Sequence, residues 1–364
     1  MLATKRVVFS ALAVTLLASA PAHAAKLTTL YSFKGGTDGA TPYSGMTYHA
    51  GVFYGTTYGG GTYGNGTIFK LEPASGTVTI LYSFQTSNNG PGNPSALLSA
   101  KGSYLYGSAD TVDMQDDNYD YAYFKYNITT GALTTLYVVP GPPWVTLTTI
   151  PQTISYTKDG LYATMVNGGG AVIKFNPRNG RILDQYDFSI NDGHQGQLPS
   201  SPVIESAGFL YGTTVTGGTK GYGVFYKLDA VTGAETVIHD FGVPPDGYNP
   251  IGPLAYAQGM FYGATSVGNV VYALNPATGA ETVFNTTETE SSVTYKSGYL
   301  YLTGATTISR LKLQSGIITT LHTFTGGADG KTPAPGLVEL GGSFYGTTES
   351  GGANGNGTVF KLTP

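Results

Sequence analysis

Residues 53–73, FYGTTYGGGTYGNGTIFKLEP, return at the far end of the chain as FYGTTESGGANGNGTVFKLTP over residues 344–364. Upstream of each copy, LTTLYSFKGGTDGATP (27–42) matches ITTLHTFTGGADGKTP (318–333) at the same spacing. A chain that finishes in phase with its own beginning is an array of one supersecondary unit, in which neighbouring units bury each other's apolar faces. The tyrosine of the FYGTT-like strand marks each unit, at Tyr54, Tyr106, Tyr162, Tyr211, Tyr262, Tyr301 and Tyr345. The mean period is about 48 residues, within the ~40–50 of four-stranded propeller blades and above the 20–30 of leucine-rich horseshoes.

Four strands fit one unit, at 43–49, 52–57, 67–71 and 77–84, separated by turns rich in Gly, Asn, Pro and Ser. The chain holds 53 Gly and 28 Tyr, only 11% of its residues are charged, and no stretch after the leader keeps a helical period, so the class is all-β. The C-terminus stops after a third strand, whereas 27–33 reads as a fourth. That split predicts a closed seven-bladed β-propeller of four-stranded blades in which the first strand completes the last blade, removing an open edge. The alternative, an open solenoid, calls for capping units at both ends and gives no reason for such complementary ends.

Residues 1–24 read as a secretory signal: Lys5 and Arg6, an apolar run from Val7 to Ala20, then Ala22-His23-Ala24 as the cleavage pattern. A membrane anchor is the alternative, but the run is shorter than the ~20 residues a span needs. The expectation is an exported protein, periplasmic or secreted, with residues 25–364 as a single propeller domain. Loss of Lys5 and Arg6 takes the formal net charge from −4 to −6. The remaining basic residues are scattered singly, which argues against nucleic acid as a partner. No later segment reaches membrane-spanning length, and a monomer is expected. With no cysteine, an exported chain must hold together by packing alone.

The motifs LYSF, DGxxP, FYGTT and GGxxGNGTVFKL together resemble the GloVer repeat, a tandem motif of exported and surface-anchored bacterial proteins. The likeness is strong in units one and seven, clear in four and fainter elsewhere. It implies a secreted propeller-like array and carries no catalytic residues with it. Sorting segments common in that family are not visible before Pro364, which favours release over surface attachment.

Candidate ligand-binding residues lie on the two loop types that share a face of a propeller, the loop between the second and third strands and the loop leading into the first. The DGxxP group gives Asp38, Asp246 and Asp329. A turn-capping role for Asp, with Gly supplying positive φ and Pro fixing the strand start, explains the repetition; a ring of carboxylates at the pore rim is the functional alternative. Asn65 and Asn354 lie in Gly/Asn loops where Asn-Gly steps suit hairpin turns. Trp144 and His194 interrupt lead-in loops, where packing within the loop is the plainer reading. Tyr58, Tyr63, Tyr119 and Tyr222 sit in loops with little blade to pack on, and a ring beside Asn, Asp and Thr is the equipment of a glycan-binding surface. Strand tyrosines, by contrast, are expected to pack between blades with their hydroxyls paired.

One loop breaks the repeat, DMQDDNYD from Asp113 to Asp120. Asp113, Asp116, Asp117 and Asp120 offer hard oxygen ligands suited to calcium, although the spacing is not that of an EF-hand and a solvated acidic loop is the alternative. The histidines show no metal-ligand spacing, and there is neither a nucleophile elbow nor a phosphate-cradling loop. The expected function is therefore a non-catalytic binding or scaffold propeller for extracellular polysaccharide or a cell-surface protein. The alternative is an extracellular polysaccharide lyase or hydrolase with its site over the axial pore.

Overall fold

The computed structural model describes residues 24–85, 90–112, 119–139, 153–166, 169–188, 196–242 and 244–364. They form seven antiparallel sheets, each one repeat unit, arranged as the blades of a closed ring. In blade 1 the strands run from the axis outward as Thr47–His49, Val52–Thr57, Thr67–Leu71 and Val78–Ser83. In blades 2, 4 and 7 the innermost strand is broken into two short pieces, such as Lys331–Pro333 and Val338–Leu340.

Ring closure follows the split ends. Lys26–Ser32 pairs antiparallel with Thr358–Thr363, with Leu27 opposite Leu362 and Ser32 opposite Thr358. The first strand is thus the outer strand of blade 7. The joint with blade 1 is sealed nearer the axis, where the Thr347 hydroxyl donates to the Ser44 carbonyl at 2.9 Å and the Phe53 and Tyr345 rings lie 4.6 Å apart.

Among the described residues the buried apolar side chains fall into seven clusters, one at each joint between blades. All seven anchor tyrosines are buried there. In five blades the anchor lies opposite the lysine of the FKL-like strand, as Tyr54 opposite Lys70 and Tyr345 opposite Lys361. In blades 3 and 7 the ammonium sits over the anchor ring, Lys174 at 5.3 Å from the Tyr162 centroid and Lys361 at 5.7 Å from that of Tyr345, whereas Lys125 and Lys227 lie over Tyr104 and Phe209.

The glycine after the anchor is required by space. Gly55, Gly107, Gly212, Gly263 and Gly346 each lie opposite an aromatic residue, and a Cβ at any of them would come within 2.6 Å of the ring or its hydroxyl. Where the glycine is lost the ring is lost as well: Ala163 faces Ile173 in blade 3, and Leu302 faces Ser309 in blade 6. Volume is conserved across the pair rather than at either position.

The lead-in proline carries a second constraint. Thr41, Asn93, Leu198, Asn249 and Thr332, each just before a proline, adopt φ between 52° and 58°, whereas a residue preceding proline ordinarily sits in the β or polyproline region. In four of the five, the amide of that residue donates to a loop carbonyl of the preceding blade, as Thr41 to Asn356 at 3.0 Å and Asn249 to Tyr222 at 2.9 Å. The unusual backbone is therefore held by a latch between blades.

Candidate functional site

The recurrent aspartates sit at the periphery of the ring and not at its axis. Asp38 accepts from the Tyr31 hydroxyl at 2.5 Å and from the Lys34 amide at 2.8 Å. Asp329 accepts from the amide and hydroxyl of Thr325, and its Oδ2 lies 3.1 Å from His322 Nε2. Asp246 Oδ1 lies 3.5 Å from His239 Nε2. Each carboxylate thus meets the side chain seven residues upstream, on the outer strand of the preceding blade. It folds the lead-in loop back on that strand, and a carboxylate ring at the pore rim is absent from this arrangement. Burial pushes the Asp329 pKa up, but the Thr325 donors and His322 outweigh it and hold the carboxyl below its ordinary range.

The face carrying the loops between second and third strands presents tyrosine in pairs. In blade 1 the exposed Tyr43 ring lies 5.6 Å from Tyr58, whose hydroxyl donates to Asp110 of blade 2 at 3.3 Å. Asp110 is largely buried, and that burial raises its pKa to about 6 despite the tyrosine donor. Asn93 closes the arrangement by donating from its side-chain amide to the Tyr58 carbonyl at 2.9 Å. At the blade 4 and 5 joint, Tyr222 stands 4.8 Å from Tyr248 and is 37% exposed. Tyr63 is more than half exposed, at 53%. Asn354 is exposed on the corresponding loop of blade 7. Asn65 is half-buried and its carbonyl accepts from the Asn93 amide at 2.7 Å, so its backbone serves as an interblade latch.

Trp144, His194, Asp113, Asp116 and Asp117 lie outside the described residues. Asp120 is half-buried on the strand Tyr119–Asn127, opposite Thr111. The strand tyrosines depart from expectation in one respect. The hydroxyls of Tyr162, Tyr226 and Tyr272 are buried without a hydrogen-bond partner, because the rings are aimed along the apolar joints; Tyr226 and Tyr272 lie across Gly212 and Gly263.

Two features lie beyond the motifs. On the opposite face, a cavity of about 710 Å³ is lined by the innermost strands and following turns of blades 2, 3 and 4, with Lys158, Asp159 and Glu205 at its wall. At the blade 4 and 5 joint, His239 Nε2 is 3.8 Å from Glu281 Oε2, and Lys220 Nζ is 3.5 Å from Asp246 Oδ2. Burial raises the Glu281 pKa, reinforced by the neighbouring Asp246 carboxylate, and burial lowers that of His239. The signal for this cluster was present in the aligned units. Glu281 stands on the outer strand of blade 5 at the position of Leu27 in blade 7 and Val78 in blade 1, each opposite the last leucine of the third strand.

Among solved structures, the chain is similar to BamB from Moraxella catarrhalis, at 14% identity over 91% of this chain and 92% of that one, with a TM-score of 0.53. It is also similar to the AfRom2 CNH domain, at 10% identity over 92% and 98% of the two chains, with a TM-score of 0.59. At these identities the likeness is one of fold. No curated protein sequence matches. The Gloeobacter/Verrucomicrobia repeat matches residues 111–306, from within blade 2 to within blade 6 rather than the two blades most alike. That span exceeds half of the protein, and the chain belongs to the Gloeobacter/Verrucomicrobia repeat family.

Proposed function

We propose that this is an exported binding propeller that holds an extracellular polysaccharide on the face carrying its Gly/Asn loops. The observation that supports this most is an exposed ring backed by a half-buried one beside polar groups on that face, Tyr43 on Tyr58 and Tyr222 on Tyr248. A sugar ring stacks its C–H face on an aromatic side chain while its hydroxyls donate to a carboxylate such as Asp110 and accept from an amide such as that of Asn93. Each contact is weak, since millimolar affinity corresponds to only ~4 kcal/mol. Retention on a polymer therefore comes from blades 1 and 4 engaging one chain together. Blades 5 and 6, whose corresponding loops are short, contribute little. Among the described residues no helix is long and apolar enough to cross a membrane. Residues 1–24 are proposed as a leader that directs export.

The test is retention of the protein cut to residues 25–364 on insoluble polysaccharides, beside the variant Tyr43→Ala with Tyr63→Ala and Tyr222→Ala. The variant is expected to lose at least tenfold in affinity with an unchanged melting temperature. Failure of the wild type to bind any polymer overturns the proposal. Release of reducing or unsaturated ends replaces it with an enzymatic reading.

A further inference from the structure

We infer that His239, Asp246 and Glu281 form a binding site for a divalent metal ion of the zinc type. The three come from separate segments: the outer strand Glu235–Asp240 of blade 4, the loop leading into blade 5, and the first residue of the outer strand Glu281–Asn285. One imidazole nitrogen and two carboxylate oxygens lie within 4.8 Å of one another. The His239–Asp246 and His239–Glu281 separations are 3.5 and 3.8 Å. Zinc takes nitrogen and oxygen ligands at ~2.0–2.2 Å, which in a tetrahedral site puts the donor atoms roughly 3.3–3.5 Å apart. Small side-chain movements therefore complete the set, and water can supply a fourth ligand. Calcium fits poorly, since it takes six to eight oxygen ligands, whereas imidazole suits zinc and its neighbours.

A second, independent observation is the state of the donor atoms. The Glu281 side chain is only 9% exposed, and its Oε1 and His239 Nε2 are both buried with nothing among the described residues but the neighbouring carboxylates, Asp246 foremost, within reach. Buried polar groups are ordinarily satisfied, and a pair left open in a native protein calls for an occupant. The two other charged groups facing the cluster do not fill it. Lys220 approaches Asp246 from a half-exposed position while donating to the Asp240 carbonyl at 3.0 Å, and Asp240 Oδ2 is taken by the Thr219 amide. The ammonium can swing to solvent when a metal arrives. The corresponding joint between blades 6 and 7 keeps the imidazole and carboxylate of His322 and Asp329, but has Leu27 in the third position and so lacks the set.

The experiment is calorimetric titration of chelator-treated protein with zinc chloride, paired with melting curves in zinc and in chelator. One zinc per chain is expected, with a higher melting temperature in zinc and visible absorption of the low-coordinate kind when cobalt replaces it. Glu281→Gln and His239→Ala should each weaken binding at least tenfold, while His322→Ala leaves it unchanged. If His239→Ala fails to fold, Glu281→Leu, which installs the side chain found at the blade 6 and 7 joint, answers the same question. Absence of zinc binding, or equal binding by wild type and Glu281→Leu, overturns the assignment.

Discussion

The joint between blades 6 and 7 and the joint between blades 4 and 5 are built on the same plan. Both place a histidine on the outer strand against an aspartate of the next lead-in loop. In the first, Leu27 holds the third position and packs against the apolar cluster of that joint, which includes Phe324, Leu337 and Phe360. In the second, Glu281 takes that position and brings a second carboxylate into a buried space. A hydrophobic cover lets the His322–Asp329 pair be purely structural. A carboxylate cover raises the cost of burial and leaves donor atoms open, which is the chemistry of a site. One side chain thus separates a fastening from a candidate metal centre on an otherwise repeated scaffold.

Removing residues 25–33 should produce the largest effect, because it takes Leu27 from the blade 6 and 7 joint and Tyr31 from the next while leaving the blade 4 and 5 joint intact. Stability should fall by several kcal/mol, a large share of a typical ~5–15 kcal/mol, and the bared edge of Thr358–Thr363 should promote aggregation. Urea unfolding with light scattering checks this, and an unchanged midpoint would show that closure does not depend on the first strand.

Exchanging the covers is the sharper experiment. Glu281→Leu in metal-free protein should raise stability by ~1–3 kcal/mol, since it removes a carboxyl whose burial beside the Asp246 carboxylate is unfavourable and leaves the His239–Asp246 pair in place. Leu27→Glu should lower it by ~1–3 kcal/mol, because the new carboxylate is desolvated against an apolar cluster. Both are read from denaturant midpoints, and a loss of stability in each case would mean that the two joints are not interchangeable.

Smallest is the effect of Asp329→Asn, which weakens the bonds from Thr325 and His322 and should cost ~1 kcal/mol at pH 7. The folded pKa of Asp329 is depressed, so its contribution is present above the unfolded carboxylate value near ~3.9 and is lost as pH falls through the lower folded value. Melting curves of wild type and variant should converge at strongly acid pH. A difference that persists there would place its origin in packing.

Local pattern was enough for the propeller itself. The anchor tyrosines, the period and the complementary ends dictate seven blades and their closure, because a strand that faces a neighbour every repeat writes its apolar alternation into each copy. The strands at 52–57 and 67–71 appear at those bounds for the same reason, as turn chemistry is local. The pairing of Gly346 with Phe360 and of Leu302 with Ser309 could also be read once the units were aligned, since the volume exchange runs between directly opposed residues. What three dimensions alone decided was which polar side chains meet. Asp110 reaches Tyr58 across 52 residues, and His239 meets Glu281 of the next blade across the joint that the lead-in loop carrying Asp246 closes. Those contacts depend on the twist and packing angle of whole sheets, which no stretch of sequence encodes by itself. The repeats therefore determined the scaffold, and the convergence of blades determined where a shared position became a candidate site.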